Sequence, residues 1–399
     1  MRFSPPEILL TPETRWVLLR AFGPAGSQPP EAFAVDAAVE TARRLELAAR
    51  IAARAGRGAL AGELGEGPAG ALASRAREAA ARELLLRGLA EEVGRAARER
   101  GLTVVLLKFA ALAAAERLAA GSRAAGDLDV LAGAGEEGSL QEALLARGFG
   151  FTGQSGRDHH LPALAHPRLG MIEIHRHLPG VVAPGSARLA TAEDLAREGA
   201  LREAPGLPDL RVPALPVVLA HGLAHALFQH GLAPEAYPPF RGVSDWIDLG
   251  LGGPGGAELL AGARGWLAPD FPAGELDAAR ELAALLAEGR PEALEGGSAG
   301  ARLGRHFLAG ALDSRYRRSL AVRRIAPPRG VAEERGRVAR ALARAFFPAR
   351  AELDAIYGAT DSRLLRAARR ALRPVDLAWR TARSLASRVD PRGRAPLRL

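Results

Sequence analysis

The chain of 399 residues has no cysteine, which excludes a disulfide framework, a thiolate zinc finger, an iron–sulfur cluster and a cysteine nucleophile. It has no asparagine either, and a single lysine, Lys108, stands among 54 basic residues. Nowhere do 18 apolar residues run unbroken, and the opening MRFSPPEILLTPETRW has neither the basic segment nor the long apolar stretch of an export signal. These absences predict a chain without a membrane span that works in a reducing cytoplasm.

Hydrophobic residues make up 48% of the chain, enough for a sizeable core and for two or three domains. The net charge of +9 is unevenly placed. Residues 301–399 hold 24 Arg against 8 acidic residues, a net +16, so the first 300 residues sum to −7. A basic quarter of this kind fits an anionic partner, or neutralises the acidic body. Where arginine is the default cation, the one retained lysine marks a place that needs a compact ammonium.

Hydrophobic spacing predicts helices over most of residues 1–95, broken by the Gly-rich GALAGELGEGPAGAL. The texture changes at TVVLL, followed by the helical AALAAAERLAA, a strand DLDVL, and a helix EEGSLQEALLARG closed by Gly148. FGFTG and MIEIH add two short strands. From Val181 the pattern reads as helical again, and the Arg-rich tail DSRLLRAARRALRPVDLAWRTARSLASRVD as an amphipathic helix interrupted near Pro374. The expected fold is α+β: a helical region at 1–95, a small mixed-sheet α/β core at 96–180, a helical region at 181–300 completing a cleft, and an Arg-rich helical region at 301–399.

The chemistry-bearing residues fall in the α/β core. Asp127 and Asp129, two apart on a strand, share one face, and Glu173 stands in another apolar strand. Ionised groups flanked by Leu128, Val130, Ile172 and Ile174 cost stability unless a cation meets them. Such a set can hold one or two divalent cations by oxygen ligation. The bland alternative is an acidic pair at a strand end that caps or stays solvated. Eight of nine histidines lie between His159 and His230. His175 shares the strand face of Glu173 and could act as ligand, phosphate contact or base. His221 and His225 have zinc-ligand spacing, but Gly222 stands where a catalytic glutamate is needed, so packing is the simpler reading.

The run LLKFAALAAAERLAAGSRAAGDLDVL, then LQEALLARGFGF, HHLPALAHPRLGMIEIHRHL, HGLAHALFQH and SDWIDLGL, resembles an uncharacterised bacterial nucleotidyltransferase family of the polymerase-β-like superfold. The resemblance covers roughly residues 80 to 250. It implies Asp127, Asp129 and Glu173 as Mg²⁺ ligands, with Mn²⁺ as a substitute, and Lys108 and Arg123 beside the triphosphate of an NTP such as ATP. It marks His160 and His175 as further site residues. Glu173 or His175 would serve as base. Phe109 departs from the pattern, which has glycine after the lysine; a phenylalanine there could obstruct phosphate.

Other signatures fail. GLGGPG at 250–255 follows a helical segment rather than a strand, the lone lysine lacks the G-K-[ST] context, and no G-x-S-x-G occurs. Three readings therefore stand. The first is a Mg²⁺-dependent nucleotidyltransferase whose acceptor is a protein, an RNA end, a sugar or a small metabolite. The second is a degenerate member of that fold acting as a binding scaffold. The third is a zinc or manganese hydrolase using His159, His160, Glu173 and His175.

Overall fold

The computed structural model describes residues 10–27, 32–153, 159–186, 188–229, 239–268, 271, 273–313 and a few positions between 362 and 375. The described part of residues 1–152 and 156–321 forms one compact unit. Of the second unit, which takes in 322–399, the described residues include helical positions at 367–369, 371–372 and 375. The Arg-rich tail predicted from the sequence lies mostly outside the described residues.

Among the described residues five helices precede the sheet: α1 (Pro12–Phe22), α2 (Val35–Arg44), α3 (Ala48–Ala55), α4 (Arg57–Leu64) and α5 (Glu66–Arg100). Gly56 separates α3 from α4 and Gly65, in the Gly-rich stretch, separates α4 from α5, both with positive φ, and α5 then runs unbroken for 35 residues. Pro68 sits in its first turn, where an N–H has no intrahelical partner to lose, so the helix runs on through it. Gly101, left-handed at φ 65°, ends the helix.

The sheet has seven strands in the order β3-β4-β5-β2-β1-β7-β6. Its strands are β1 (Val104–Leu106), β2 (Asp127–Ala132), β3 (Gly150–Phe151), β4 (Leu164–His166), β5 (Gly170–His175), β6 (Leu201–Ala204) and β7 (Leu207–Pro213). α6 (Lys108–Ala114) follows β1 and is shorter than the sequence pattern suggested; α7 (Glu137–Leu145) follows β2. β2 is central, antiparallel to β1 and parallel to β5.

The reading of an all-helical chain beyond Val181 is corrected here. α8 (Ala192–Arg197) is followed by the β6–β7 hairpin, which pairs parallel to β1 and extends the sheet. Gly206, at φ 70°, makes its tight turn possible. Helices then resume as α9 (Leu215–Leu223), continued by a π-helical turn at Ala224–Gln229, and α10 (Pro239–Asp248), α11 (Gly256–Arg264), α12 (Ala273–Ala287) and α13 (Ala299–Leu312).

Two apolar layers sandwich the sheet. One joins Leu86, Leu89 and Val93 of α5 and Leu140 and Leu144 of α7 to Val104, Leu106, Leu128, Val130, Ile172 and Ile174. The other gathers Val105, Leu107 and Leu131 with α1, α3 and helices α9 to α13 around Trp16, Phe240, Trp246 and Phe307. The glycines at 250–256 form a turn after α10, where a Cβ on Gly252 would meet the Ala283 carbonyl at 2.6 Å. They pack a helix rather than cradle a dinucleotide.

Gly121 positions the segment leading into β2. It is left-handed at φ 71°, a Cβ would lie 2.6 Å from the Ala76 carbonyl oxygen, and its N–H donates to the Glu83 carboxylate at 3.1 Å. Gly121→Ala is expected to cost about 1–3 kcal/mol, because strained φ and backbone clash act together. Urea unfolding of the variant checks this.

Candidate active site

The parallel pairing of β2 and β5 sets Asp129 opposite Glu173 and Leu131 opposite His175. Because Leu128, Val130, Ile172 and Ile174 fill the α5–α7 layer, alternation sends Asp127, Asp129, Glu173 and His175 to the other face. A slip of one residue would bury all four in that apolar layer, so the apolar residues fix the register of the polar ones.

β1 delivers the lysine. Leu107 donates its N–H to the Asp129 carbonyl at 3.0 Å, and the next residue, Lys108, turns into α6 with a left-handed φ of 46°. That conformation costs a non-glycine residue roughly 1 kcal/mol and persists where the surroundings over-determine it. Lys108 Nζ donates to Asp129 Oδ1 at 2.6 Å, and His175 Nε2 meets the same oxygen at 2.9 Å. An ionised carboxylate only accepts, so Nε2 carries the hydrogen and Nδ1 holds a lone pair. That Nδ1 is buried and has no hydrogen-bond partner among the described residues. Asp129, Glu173 and His175 each place a ligand atom within 4.8 Å of the others.

The electrostatics are lopsided. Burial opposes ionisation of Asp129, but Lys108 and the hydrogen bond from His175 overcome it and hold the carboxyl well below the usual range. Asp127 has no such partner: burial, then Asp129 and Glu173, push its carboxyl up to about 6. Burial also lowers His175, which favours the neutral ring. Lys108, kept protonated by the surrounding carboxylates against the cost of burial, is set against three acids. The face is therefore short of positive charge and rich in oxygen, the donor set of a hard divalent cation.

Histidine rings gather beside it. His159 lies 4.7 Å from His160 and 5.6 Å from His175, ring centre to ring centre, and His160 bridges its backbone to His175 while Nδ1 donates to the Leu161 carbonyl at 2.7 Å. His221 of α9 is pushed down to about 3 by burial, with Lys108 and His175 adding to it. The native state thus keeps this ring neutral while the unfolded chain protonates it below about pH 6.5, so stability falls as pH drops. The native loss between pH 6 and 5 is expected to exceed that of His221→Leu by about 1 kcal/mol, measured by urea unfolding at each pH.

A family model described as uncharacterised nucleotidyltransferase matches residues 31–248, from before α2 to the end of α10. The chain belongs to this family. No curated protein and no solved structure matches it. The nucleotidyltransferase match reaches some 50 residues further toward the N-terminus than the motifs alone suggested, taking in α2, α3 and α4. Its two ends are joined by a fork-to-carboxylate pair. Arg50 donates from both terminal nitrogens to Asp248 at 2.7 Å each, and from Nε to the Ala21 carbonyl at 2.8 Å.

Two sequence-chosen residues sit differently from expectation. The Arg123 guanidinium pairs with Asp245 of α10: Nη2 donates to Oδ2 at 2.9 Å, and Nε lies 2.6 Å from Oδ1. Phe109 is buried in the α5–α7 layer, and the Arg123 guanidinium lies 5.4 Å from its ring centre. Lys108, not residue 109, carries the left-handed φ, so the backbone here places no glycine requirement on position 109. Asp245 was missed because SDWID reads as an ordinary amphipathic helix; its partner lies 122 residues earlier.

Proposed function

We propose that the chain is a Mg²⁺-dependent nucleotidyltransferase, moving a nucleoside monophosphate from an NTP to an acceptor hydroxyl in the cytoplasm. The observation that carries the reading is the convergence of Asp127, Asp129 and Glu173 on one face of adjoining parallel strands, with the half-buried Lys108 paired to Asp129. Family membership supports the transferase class. All three carboxylates fit Mg²⁺ by donor chemistry, and Mn²⁺ by the same oxygens. Bound there, the ion supplies charge neutralisation at phosphate oxygens.

The residues themselves divide the work. The acceptor oxygen attacks the α-phosphorus, the bond from that phosphorus to the bridging oxygen breaks, and pyrophosphate leaves. Glu173 takes the hydroxyl proton, because it is 18% exposed while His175 is 1% exposed and already tied to Asp129. His175 and Lys108 act as positioning residues, fixing one oxygen of Asp129 and leaving the other free to bind. His160 holds the His175 strand end in place through its backbone bridge.

A thermal-shift titration with Mg²⁺ and each NTP tests this. Nucleotide at about 100 times Kd is expected to add roughly 2.7 kcal/mol and raise Tm by several degrees, only with metal present. No shift with any NTP in Mg²⁺ or Mn²⁺ overturns the reading and favours the degenerate scaffold.

A further inference from the structure

A cavity of about 490 Å³ opens beside the carboxylates, and five of the eight charged residues lining it are arginines: Arg43 and Arg44 of α2, Arg75 and Arg82 of α5, and Arg241 of α10. Ala124 and Ala125 form another part of its wall. Ala125 precedes Asp127 by two residues, about 7 Å of chain, so the cavity adjoins the site.

Arg44 donates to the Ala311 and Leu312 carbonyls, and the other four arginines are held unlike Arg50 and Arg123. Arg43 pairs with Glu40 at 2.6 Å and Arg75 with Glu78 at 2.9 Å, both more than half exposed, and Arg241 pairs with Glu46. Of these, the exposed Arg43–Glu40 and Arg75–Glu78 pairs contribute about 0–1 kcal/mol each and exchange readily for a better anion. Arg82 makes no hydrogen bond or ion pair among the described residues. Ala48 and Ala49, small residues opening α3, also line the cavity. No side chain caps that helix, so its first N–H groups add positive potential from a second direction.

We propose that this cavity is a phosphate subsite that binds the oxyanions of a substrate next to the carboxylate face. Five guanidiniums against three glutamates leave it net positive, and the arginine fork matches phosphate oxygens in pairs. Its assignment to a substrate rests on the transferase reading; the anion site itself rests on the cavity. Two sources share the chemistry: the terminal phosphates of the NTP, and a phosphate carried by the acceptor.

The probe is inorganic tripolyphosphate, titrated calorimetrically into the full chain at low salt. Saturable binding is expected that weakens as salt rises, falls at least tenfold in the Arg75→Glu, Arg82→Glu double variant, and survives in Asp127→Asn, Asp129→Asn. Arg87→Glu, on the same helix but paired with Glu91 outside the cavity, controls for overall charge and should bind as the native chain does. If the double variant binds tripolyphosphate as well as Arg87→Glu does, the proposal falls. Competition between tripolyphosphate and Mg²⁺–NTP assigns the subsite to the nucleotide, and simultaneous binding to the acceptor. Arginine-dependent tripolyphosphate binding in a chain that binds no NTP would keep the anion site and sink the transferase. NTP binding with no arginine dependence would do the reverse.

Discussion

Asp129→Asn is expected to abolish Mg²⁺-dependent nucleotide binding and to slow transfer by roughly 10³-fold or more, the scale on which removal of a preorganised charged or hydrogen-bonding group acts. The substitution keeps shape and removes charge. In the native chain one oxygen of Asp129 accepts from both Lys108 and His175. An amide there sets either a neutral oxygen against the ammonium or an NH₂ group against it. Lys108, protonated chiefly because of Asp129, then has only the more distant Asp127 and Glu173 to answer it. The free oxygen offered to the cation loses its charge at the same time. Calorimetry with Mg²⁺–NTP reads binding, release of labelled pyrophosphate reads transfer, and a far-ultraviolet spectrum checks folding. A folded Asp129→Asn chain that transfers within tenfold of native would remove Asp129 from the chemistry. Glu173→Gln makes a useful contrast. It removes the proposed base while leaving the Lys108–Asp129–His175 triad intact, so it should depress transfer more than binding.

Asp127, Asp129 and Glu173 could be found in the sequence because acids between β-branched and leucine residues break the expectation for a buried strand. The lone lysine could be found because arginine is otherwise universal. What could not be read was which acid faces which: the pairing of Asp129 with Glu173 depends on the parallel register of two strands more than 40 residues apart. The β6–β7 hairpin escaped for a local reason. Pro205, Gly206, Pro208 and Pro213 make the segment look like a connector, yet proline is tolerated toward strand ends and at sheet edges, and the hairpin lies at the edge of this sheet. The arginine cavity escaped for a non-local one, since its side chains come from three helices spread between residues 43 and 241. Gly121 needed its φ value to be noticed, since in sequence it is one residue in an alanine-rich run, and so did the left-handed turn at Lys108.

Arg123→Ala is expected to destabilise the chain by about 3–5 kcal/mol, because it strips a buried carboxylate of its partner. Arg123 and Asp245 have side chains 9% and 11% exposed, and burial already pushes the Asp245 carboxyl up despite the guanidinium beside it. Without Arg123 that carboxylate must take up a proton or draw in water, and Phe109 loses the cation lying near its ring. The pair also bridges the segment entering β2 to α10, so its loss should loosen the approach to Asp127 from the Arg241 side. Lysine should not rescue it: one ammonium cannot present two nitrogens to the two carboxylate oxygens as the planar guanidinium does. The double variant Arg123→Met, Asp245→Leu tests the cause. If the cost comes from an orphaned charge rather than from a binding role, the apolar pair should recover much of the stability lost in Arg123→Ala, as replaced buried ion pairs commonly do. Urea unfolding of all three chains reads the stability. A parallel titration with Mg²⁺–NTP separates the roles: recovery of stability together with native affinity makes Arg123 a structural clamp, whereas recovered stability with lost affinity would return it to the phosphates.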